Sequence, residues 1–317
     1  CLKSRGLGDV YKRQIQDSPV YLDLDKSMEK ALELVRLAAA LGAELIVFGE
    51  TWLSGYPAWL DSCEEVNYWD HEPVKELFAR THQNSIEVPG KETAQFCRLA
   101  KELKLTIVIG VNEKISTGKG NGSLYNSLLT ITGDGKIANH HRKLVPTYTE
   151  KMVWAPGDGH GLNAAETDFG RVGGLICWEH WMPQARQAMH ESGEHIHVAV
   201  WPWVHDVHQL ASRHYAFEGR TYVIAVGQIL KAGNLPPECK LKPDLAGDHD
   251  LHLLRGGSCV FGPDGNLLLE PQLDLDKTII VEIPDLEKTV RERMNLDVTG
   301  HYNRPDVFRL NTNKERS

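Results

Sequence analysis

Cys177 lies where the short apolar run Gly173-Gly174-Leu175-Ile176 meets Trp178-Glu179-His180-Trp181-Met182 and then Pro183, which opens a helical segment. A thiol on such a strand-to-helix turn meets backbone N–H groups that lower its pKa and can hold an oxyanion. Cysteine is also among the most buried residue types, and many cysteines only fill a core, so Cys177 gains chemical meaning only through partners. Glu50 follows the apolar run Leu45-Ile46-Val47-Phe48, Lys143 closes a second strand, and Glu150 comes shortly after it. Singly, Glu50, Lys143 and Glu150 each read as solvated surface charge. A carboxylate, an amine and a thiol each delivered at the C-terminal end of a strand are of complementary type, on the edge where open α/β sheets gather their chemistry.

The elements that must position these groups are legible from periodicity. Met28, Ala31, Leu32, Val35, Ala38 and Ala39 recur with helical spacing from Asp25 up to Gly42, and the continuous run 45–48 then reads as a strand covered on both faces. Residues 93–103 repeat the helix and 106–111 the strand, which defines an α/β class. Gly133-Asp134-Gly135 joins 124–132 to 136–142 as a hairpin. After Cys177 come a helix over 182–192, a strand over 197–201, a helix over 208–220 and a strand over 222–228. A connection of weak periodicity (231–253), a hairpin around Gly262-Pro263-Asp264-Gly265, a strand over 278–283 and a helix opened by Pro284 complete the fold. The segment 52–69 reads as an irregular loop whose aromatic residues suit the wall of a small-molecule pocket. The aromatic and polar stretch 297–309 has no helical period and is expected to dock on another surface.

Acidic and basic residues are mixed along the chain, and the net charge of −8 leaves no basic groove for nucleic acid and no polybasic membrane patch. No run of about 18 apolar residues can span a bilayer. The six cysteines are scattered without a C-x-x-C pair, which predicts free thiols in a reducing, cytoplasmic setting. His140-His141, His195-x-His197 and His205-x-x-His208 lack the H-E-x-x-H spacing, so no metal site is expected. Residues 1–14 are basic, aperiodic and adapter-like, and read as non-native; 15–310 read as one domain and 311–317 as a tail.

With its flanking residues, the order Glu, Lys, Cys resembles the nitrilase family of carbon–nitrogen hydrolases. The matching stretches are Gly49-Glu50-Thr51-Trp52-Leu53-x-Gly55-Tyr56-Pro57, His141-Arg142-Lys143-Leu144-x-Pro146-Thr147 and Cys177-Trp178-Glu179. Residues 177–183, 212–220 and 297–302 look like the nitrilase branch proper, and the resemblance runs from about Val20 to Leu310. It implies a four-layer α-β-β-α sandwich, and a homodimer that can stack into spirals. It implies no cofactor, with Cys177 as thiolate nucleophile and Glu50 as general base. By the same resemblance Lys143 and the Trp178 N–H stabilise developing negative charge, and Glu150 orients Lys143. Tyr56, Trp59, Trp178 and Trp201 flank these stretches and are the candidate walls of a pocket for aryl or arylaliphatic nitriles.

The reaction so implied passes through a thioimidate and a thioester to a carboxylic acid and ammonia. An amidase or a cyanide-hydrolysing enzyme would carry the same constellation, and an inactive self-assembling scaffold could keep the fold. The three intact reactive types argue against the scaffold.

Overall fold

The structure, a computed structural model, describes residues 10–283 and 285–316. Residues 1–9 of the adapter-like segment, and the helix start expected at Pro284, lie outside the described residues.

The strands in chain order are β1 (Val10–Ile15), β2 (Leu45–Phe48), β3 (Thr106–Lys114), β4 (Leu124–Ile131), β5 (Ile137–Arg142), β6 (Ala165–Thr167), β7 (Gly170–Ile176), β8 (Ile196–Val200), β9 (Tyr222–Val226), β10 (Ile229–Lys231), β11 (His252–Phe261), β12 (Leu267–Leu273) and β13 (Thr278–Ile283). The helices are α1 (Leu24–Ala40), α2 (Trp59–Ser62), α3 (Glu72–Gln83), α4 (Lys91–Leu103), α5 (Pro183–Glu191), α6 (Asp206–Gly219) and α7 (Lys288–Glu292). One sheet runs β13-β1-β2-β3-β4-β5, the other β10-β11-β9-β8-β7-β6, with β12 paired to β11. The central strands of both are parallel: β1 with β2, β2 with β3, β7 with β8, β8 with β9.

The continuous apolar character of β2 has a direct cause. Leu45 and Val47 pack with Leu128, Leu175, Val198 and Val200 between the two sheets, whereas Ile46 and Phe48 pack outward with Ala31 and Val35 of α1 and Leu99 of α4. Alternate residues of one strand therefore serve two different apolar layers, and all four are fully buried. On the other side, α5 and α6 cover the second sheet through Ala188, Met189, Ala211 and Tyr215. The result is the expected α-β-β-α sandwich. Gly174 of one sheet faces Leu128 of the other; a Cβ at Gly174 would lie 2.8 Å from Leu128 Cδ2.

Most elements fall where periodicity placed them, with three differences. Helices α2 and α3 occupy residues read as loop or passed over, because α3 buries only Leu77 and Thr81 and leaves a weak apolar stripe. β1 starts inside the adapter-like stretch, whose residues 10–14 are expected to stand in for only part of a first strand, and pairs along its whole length with β13 and in parallel with β2. Cys63 and Cys239, 176 residues apart in sequence, are joined as a disulfide with Cα atoms 5.5 Å apart, so the expectation of six free thiols fails at this pair. Around it Glu64 N donates to Lys240 O (2.8 Å) and Lys242 N to Ser62 O (3.0 Å), which ties α2 to the 231–253 connection. The end of the tail docks on its own chain: Lys314 Nζ donates to Leu162 O (2.9 Å) and Arg316 Nη2 to His140 O (2.7 Å). No helix among the described residues is long and apolar enough to cross a membrane.

Gly110 in β3 shows how tightly this scaffold grips the Glu50 turn. A Cβ at Gly110 would sit 2.3 Å from Gly49 O and 2.4 Å from Thr51 N, so the requirement is for space against rigid backbone. Gly110→Ala is expected to destabilise the protein by about 1–3 kcal/mol or more, the range for overpacking a rigid core. Urea denaturation of the two proteins side by side measures this, and an unchanged midpoint would contradict the packing account.

Candidate active site

Glu50 leaves β2 fully buried, and the next residue, Thr51, takes φ +47°, which turns the chain sharply away. Its Oε1 accepts from Asn126 Nδ2 (2.7 Å) and Lys143 Nζ (3.0 Å); its Oε2 is buried and has no partner. Gln228 Nε2 donates to the Glu50 carbonyl and fixes the backbone of the turn. Lys143 continues the β5 ladder, its N–H donating to Asn126 O (2.8 Å), so a single β4 residue aligns both the acid and the lysine. Lys143 Nζ also donates to Glu150 Oε2 (2.6 Å). Glu150 sits in the short helical turn Tyr148–Met152, where Thr147 N donates to Oε2 (2.7 Å) and Tyr56 Oη donates to Oε1 (2.9 Å). Cys177, 3% exposed, opens the turn after β7 at φ +53°, a conformation that costs a non-glycine residue about 1–3 kcal/mol. Ligand atoms of Glu50, Glu150 and Cys177 all lie within 4.8 Å of one another.

Two buried carboxylates share one buried ammonium. Burial pushes the Glu50 carboxyl up to about 7, with Lys143 opposing and Glu150 adding to the rise. For Lys143 burial opposes the charge, but Cys177, Glu50 and Glu150 outweigh it and hold the ammonium above its ordinary range. The Cys177 thiol is raised well above its usual value by burial and then by Glu50, against the opposing Lys143 and the Trp178 N–H. This corrects the expectation that the turn's N–H groups leave the thiol with a lowered pKa: at rest the sulfur keeps its proton, and forming the thiolate requires a base beside it. At this site the Glu50 Oε2 is a buried carboxylate oxygen with no hydrogen-bond partner. The same geometry bears on metal binding. Glu50, Glu150 and Cys177 are the one group of such ligands that converges among the described residues, and the Lys143 ammonium already stands against both carboxylates. A cation added there would face that charge, so the donor set does not fit a metal.

The sequence profile described as carbon–nitrogen hydrolase matches residues 13–292. The chain belongs to the carbon–nitrogen hydrolase family. It is 38% identical over 308 residues to "Nitrilase 2" of an unknown prokaryotic organism, covering 97% of this chain and 93% of that protein. It is 35% identical over 301 residues to "Aliphatic nitrilase" of Sinorhizobium fredii (strain HH103), covering 95% and 94%. Among solved structures, the carbon–nitrogen hydrolase of Helicobacter pylori G27 superposes with a TM-score of 0.67 at 21% identity, covering 95% of this chain and 97% of that one. Saccharomyces cerevisiae Nit3, a member of branch 10 of the nitrilase superfamily, also gives 0.67, at 19% identity over 94% and 97%. These two likenesses are of fold.

In this carbon–nitrogen hydrolase, Glu179 is a functional residue that sequence reasoning quoted without giving it a role. Its Oε1 accepts from Leu144 N (2.7 Å) and its Oε2 from Ile176 N (2.7 Å), while His141 Nε2 lies 3.0 and 2.8 Å from the two oxygens. One buried carboxylate thus clamps the residue before Cys177 to the residue after Lys143. Burial opposes its charge, but His141 and the two backbone N–H groups prevail and hold its pKa below the usual range. The signal was present in the spacing: a Glu two residues past the nucleophile and a His two residues before the lysine. Asn126 and Gln228 gave no such signal, since they reach Glu50 only through the fold.

A cavity of about 350 Å³ opens onto Cys177 and Glu150, lined among others by Tyr56, Trp178, Trp203, His205, His208 and Leu253. Tyr56 and Trp178 are walls as expected. Trp59 and Trp201 are not: Trp59 is buried in a cluster with Leu60, Leu77 and Trp154, and Trp201 is buried between the rings of His180 and His208. Both flank the motifs in sequence, but their side chains leave the backbone on the core side. Trp203, two residues after Trp201 and past the end of β8, takes the place assigned to it.

Glu179→Gln keeps the shape of the clamp but replaces one acceptor by an N–H₂ group facing a buried donor. The expected cost is about 1–3 kcal/mol for the orphaned amide, read as a shift in denaturation midpoint; equal stability of the two proteins would remove the clamp from the argument.

Proposed function

We propose that the protein is a nitrilase, converting an organic nitrile and two waters to a carboxylic acid and ammonia. The observation that supports this most directly is that the Glu50 carboxylate, whose buried Oε2 has no partner, converges with Cys177 to within 4.8 Å, with Lys143 held between two carboxylates. Glu50 Oε2 takes the thiol proton as sulfur bonds to the nitrile carbon, and the proton passes to the nitrile nitrogen, giving a thioimidate. Glu50 next activates a water that adds to the carbon–nitrogen double bond. Lys143 and the Trp178 N–H hold negative charge developing on nitrogen and then on oxygen. The C–N bond breaks, ammonia leaves, and a second water hydrolyses the thioester, returning the thiol. Should the tetrahedral species expel sulfur instead, an amide leaves. Glu150, fixed by Tyr56 and Thr147 N, positions Lys143 for both steps.

The apolar and aromatic walls, Trp178, Trp203 and Leu253, favour an aryl or arylaliphatic nitrile, and a cavity of about 350 Å³ suits a small substrate. Relatives named nitrilase over nearly the whole chain support the same reaction class.

Ammonia release from aryl, arylaliphatic and aliphatic nitriles and from cyanide, with wild type against Cys177→Ala, tests the proposal. Turnover of organic nitriles lost in the variant is expected; amide hydrolysis alone, or formamide from cyanide alone, would move the protein to the amidase or cyanide-hydrolysing reading. Glu50→Gln is expected to cost about 10²–10⁴-fold in kcat, the usual contribution of a general base.

The pH dependence has a definite sign. The Glu50 carboxyl, raised to about 7, must be ionised in the free enzyme to accept the thiol proton. kcat/KM is therefore expected to fall as pH drops through about 7, with the apparent pKa belonging to the coupled group rather than to Glu50 alone. A profile still flat at pH 5 would contradict this role.

A further inference from the structure

His180, a member of the Cys177 motif, and His197, one of the histidines for which the sequence predicted no metal site, form a hydrogen-bonded chain beneath Cys177. His180 Nδ1 lies 2.7 Å from the carbonyl oxygen of Cys177, and its Nε2 lies 3.0 Å from His197 Nε2. His197 Nδ1 lies 2.8 Å from Glu194 Oε2, and Tyr215 Oη donates to Glu194 Oε1. Every member is buried to 2% exposure or less. Gly173 of β7 leaves the room that the acid needs, since a Cβ there would lie 2.0 Å from Glu194 Oε2. The rings are held flat by their neighbours: His180 stacks on Trp201 with centroids 4.9 Å apart, and His197 on Tyr215 at 3.7 Å.

The proton positions follow from what each atom can do. A carbonyl oxygen only accepts, so His180 Nδ1 carries a proton. Burial and then the neighbouring His197 hold the His180 pKa well below its usual value, so the ring is neutral and its Nε2 accepts. His197 Nε2 is then the donor. This holds whether the proton between His197 and Glu194 rests on nitrogen or on oxygen. The two bonds beyond His197, from His197 to His180 and from His180 to the Cys177 carbonyl, therefore point the same way, toward that carbonyl.

That carbonyl belongs to the Cys177–Trp178 peptide group, whose N–H faces the Cys177 sulfur. Withdrawing electron density at the oxygen of a peptide makes its N–H a stronger donor, and aligned hydrogen bonds reinforce one another by about 10–30% per bond. We propose that His180 and His197 are positioning residues of the reaction: the chain Glu194–His197–His180 polarises the Cys177–Trp178 peptide, and so strengthens the Trp178 N–H toward the charge that develops in turnover. The inference rests on the nitrilase reading for its kinetic consequence, but the polarisation itself can be read without any substrate.

Cys177–Trp178 is the one Cys-Trp pair in the chain. Protein labelled with carbonyl-¹³C cysteine and ¹⁵N tryptophan therefore gives a single carbon–nitrogen correlated amide resonance, that of Trp178. His180→Asn keeps a donor for the carbonyl but cannot reach His197; His180→Leu removes both links. The Trp178 amide proton is expected to move upfield in the order wild type, His180→Asn, His180→Leu. In the same order kcat on a nitrile is expected to fall, by about tenfold in total, a part of the ~10²–10³ lost on deleting an oxyanion donor, with KM unchanged. A resonance that stays in place, or His180→Asn behaving as wild type in both readouts, overturns the proposal. If the wild type turns over no nitrile, the nitrilase reading falls instead, and the resonance alone decides on the chain.

Discussion

The site depends on one cation shared by two buried acids. Lys143 Nζ stands 3.0 Å from Glu50 Oε1 and 2.6 Å from Glu150 Oε2, with all three side chains removed from water. Taking such charges out of water costs several kcal/mol per ion, and their attraction repays this only when the remaining lone pairs and protons are met. Here they are met unequally. Both oxygens of Glu150 are engaged, by Lys143, Thr147 N and Tyr56 Oη, whereas Glu50 keeps one oxygen free. The two acids are thus made different by their surroundings: Glu150 is an anchor, and Glu50 is left as a group that can accept a proton. Burial and then the Glu50 charge also push the Cys177 thiol well above its usual pKa, against the opposing Lys143.

Holding four such groups together requires backbone that ordinary strands and helices do not supply. Thr51 follows Glu50 at φ +47°, Tyr148 precedes Glu150 by two residues at φ +46°, and Cys177 itself has φ +53°. Strain of this kind persists only where the surroundings over-determine it. The surroundings here can be named. Gly110 packs under the Glu50 turn, Gln228 holds its carbonyl, Glu179 ties the Cys177 turn to the Lys143 strand, and His180 holds the Cys177 carbonyl. Strand order brings the contributors together, since β2, β5 and β7 lie in two sheets whose packed faces meet at Leu128, Leu175 and Val47.

What the sequence discloses follows from how local each feature is. The run 45–48 and the periodicities of α1, α4, α5 and α6 are visible because a strand buried on both faces, and a helix with one buried stripe, write their pattern into adjacent residues. Glu50, Lys143 and Cys177 were legible for a related reason: each lies at the end of such a pattern. The rest depends on partners distant in the chain. Asn126 reaches Glu50 across 76 residues, and Glu179 reaches Leu144 across 35. The Cys63–Cys239 pairing is likewise silent in the spacing of the cysteines. The misplacement of Trp59 and Trp201 has the same origin, because nearness to a motif in sequence does not say which side of the backbone a ring leaves from.

The division of labour between strands and loops is the final consequence of this architecture. Glu50, Lys143 and Cys177 are set at strand ends and locked by buried hydrogen bonds, while the cavity walls come from α2 and its neighbours, from residues 147–150, from the segment 202–208 and from the start of β11. Two of these walls are also joined to each other: Cys63–Cys239, Glu64 N to Lys240 O and Lys242 N to Ser62 O tie α2 to the connection that leads into β11. Changes of side chain at Trp203 or Leu253 can therefore reshape the space offered to a substrate without moving Glu50, Lys143 or Cys177. The geometry of Glu50, Lys143 and Cys177 is thus fixed by the scaffold, while the shape of the cavity is set by side chains outside that constellation, many of them on loops that a rigid scaffold positions.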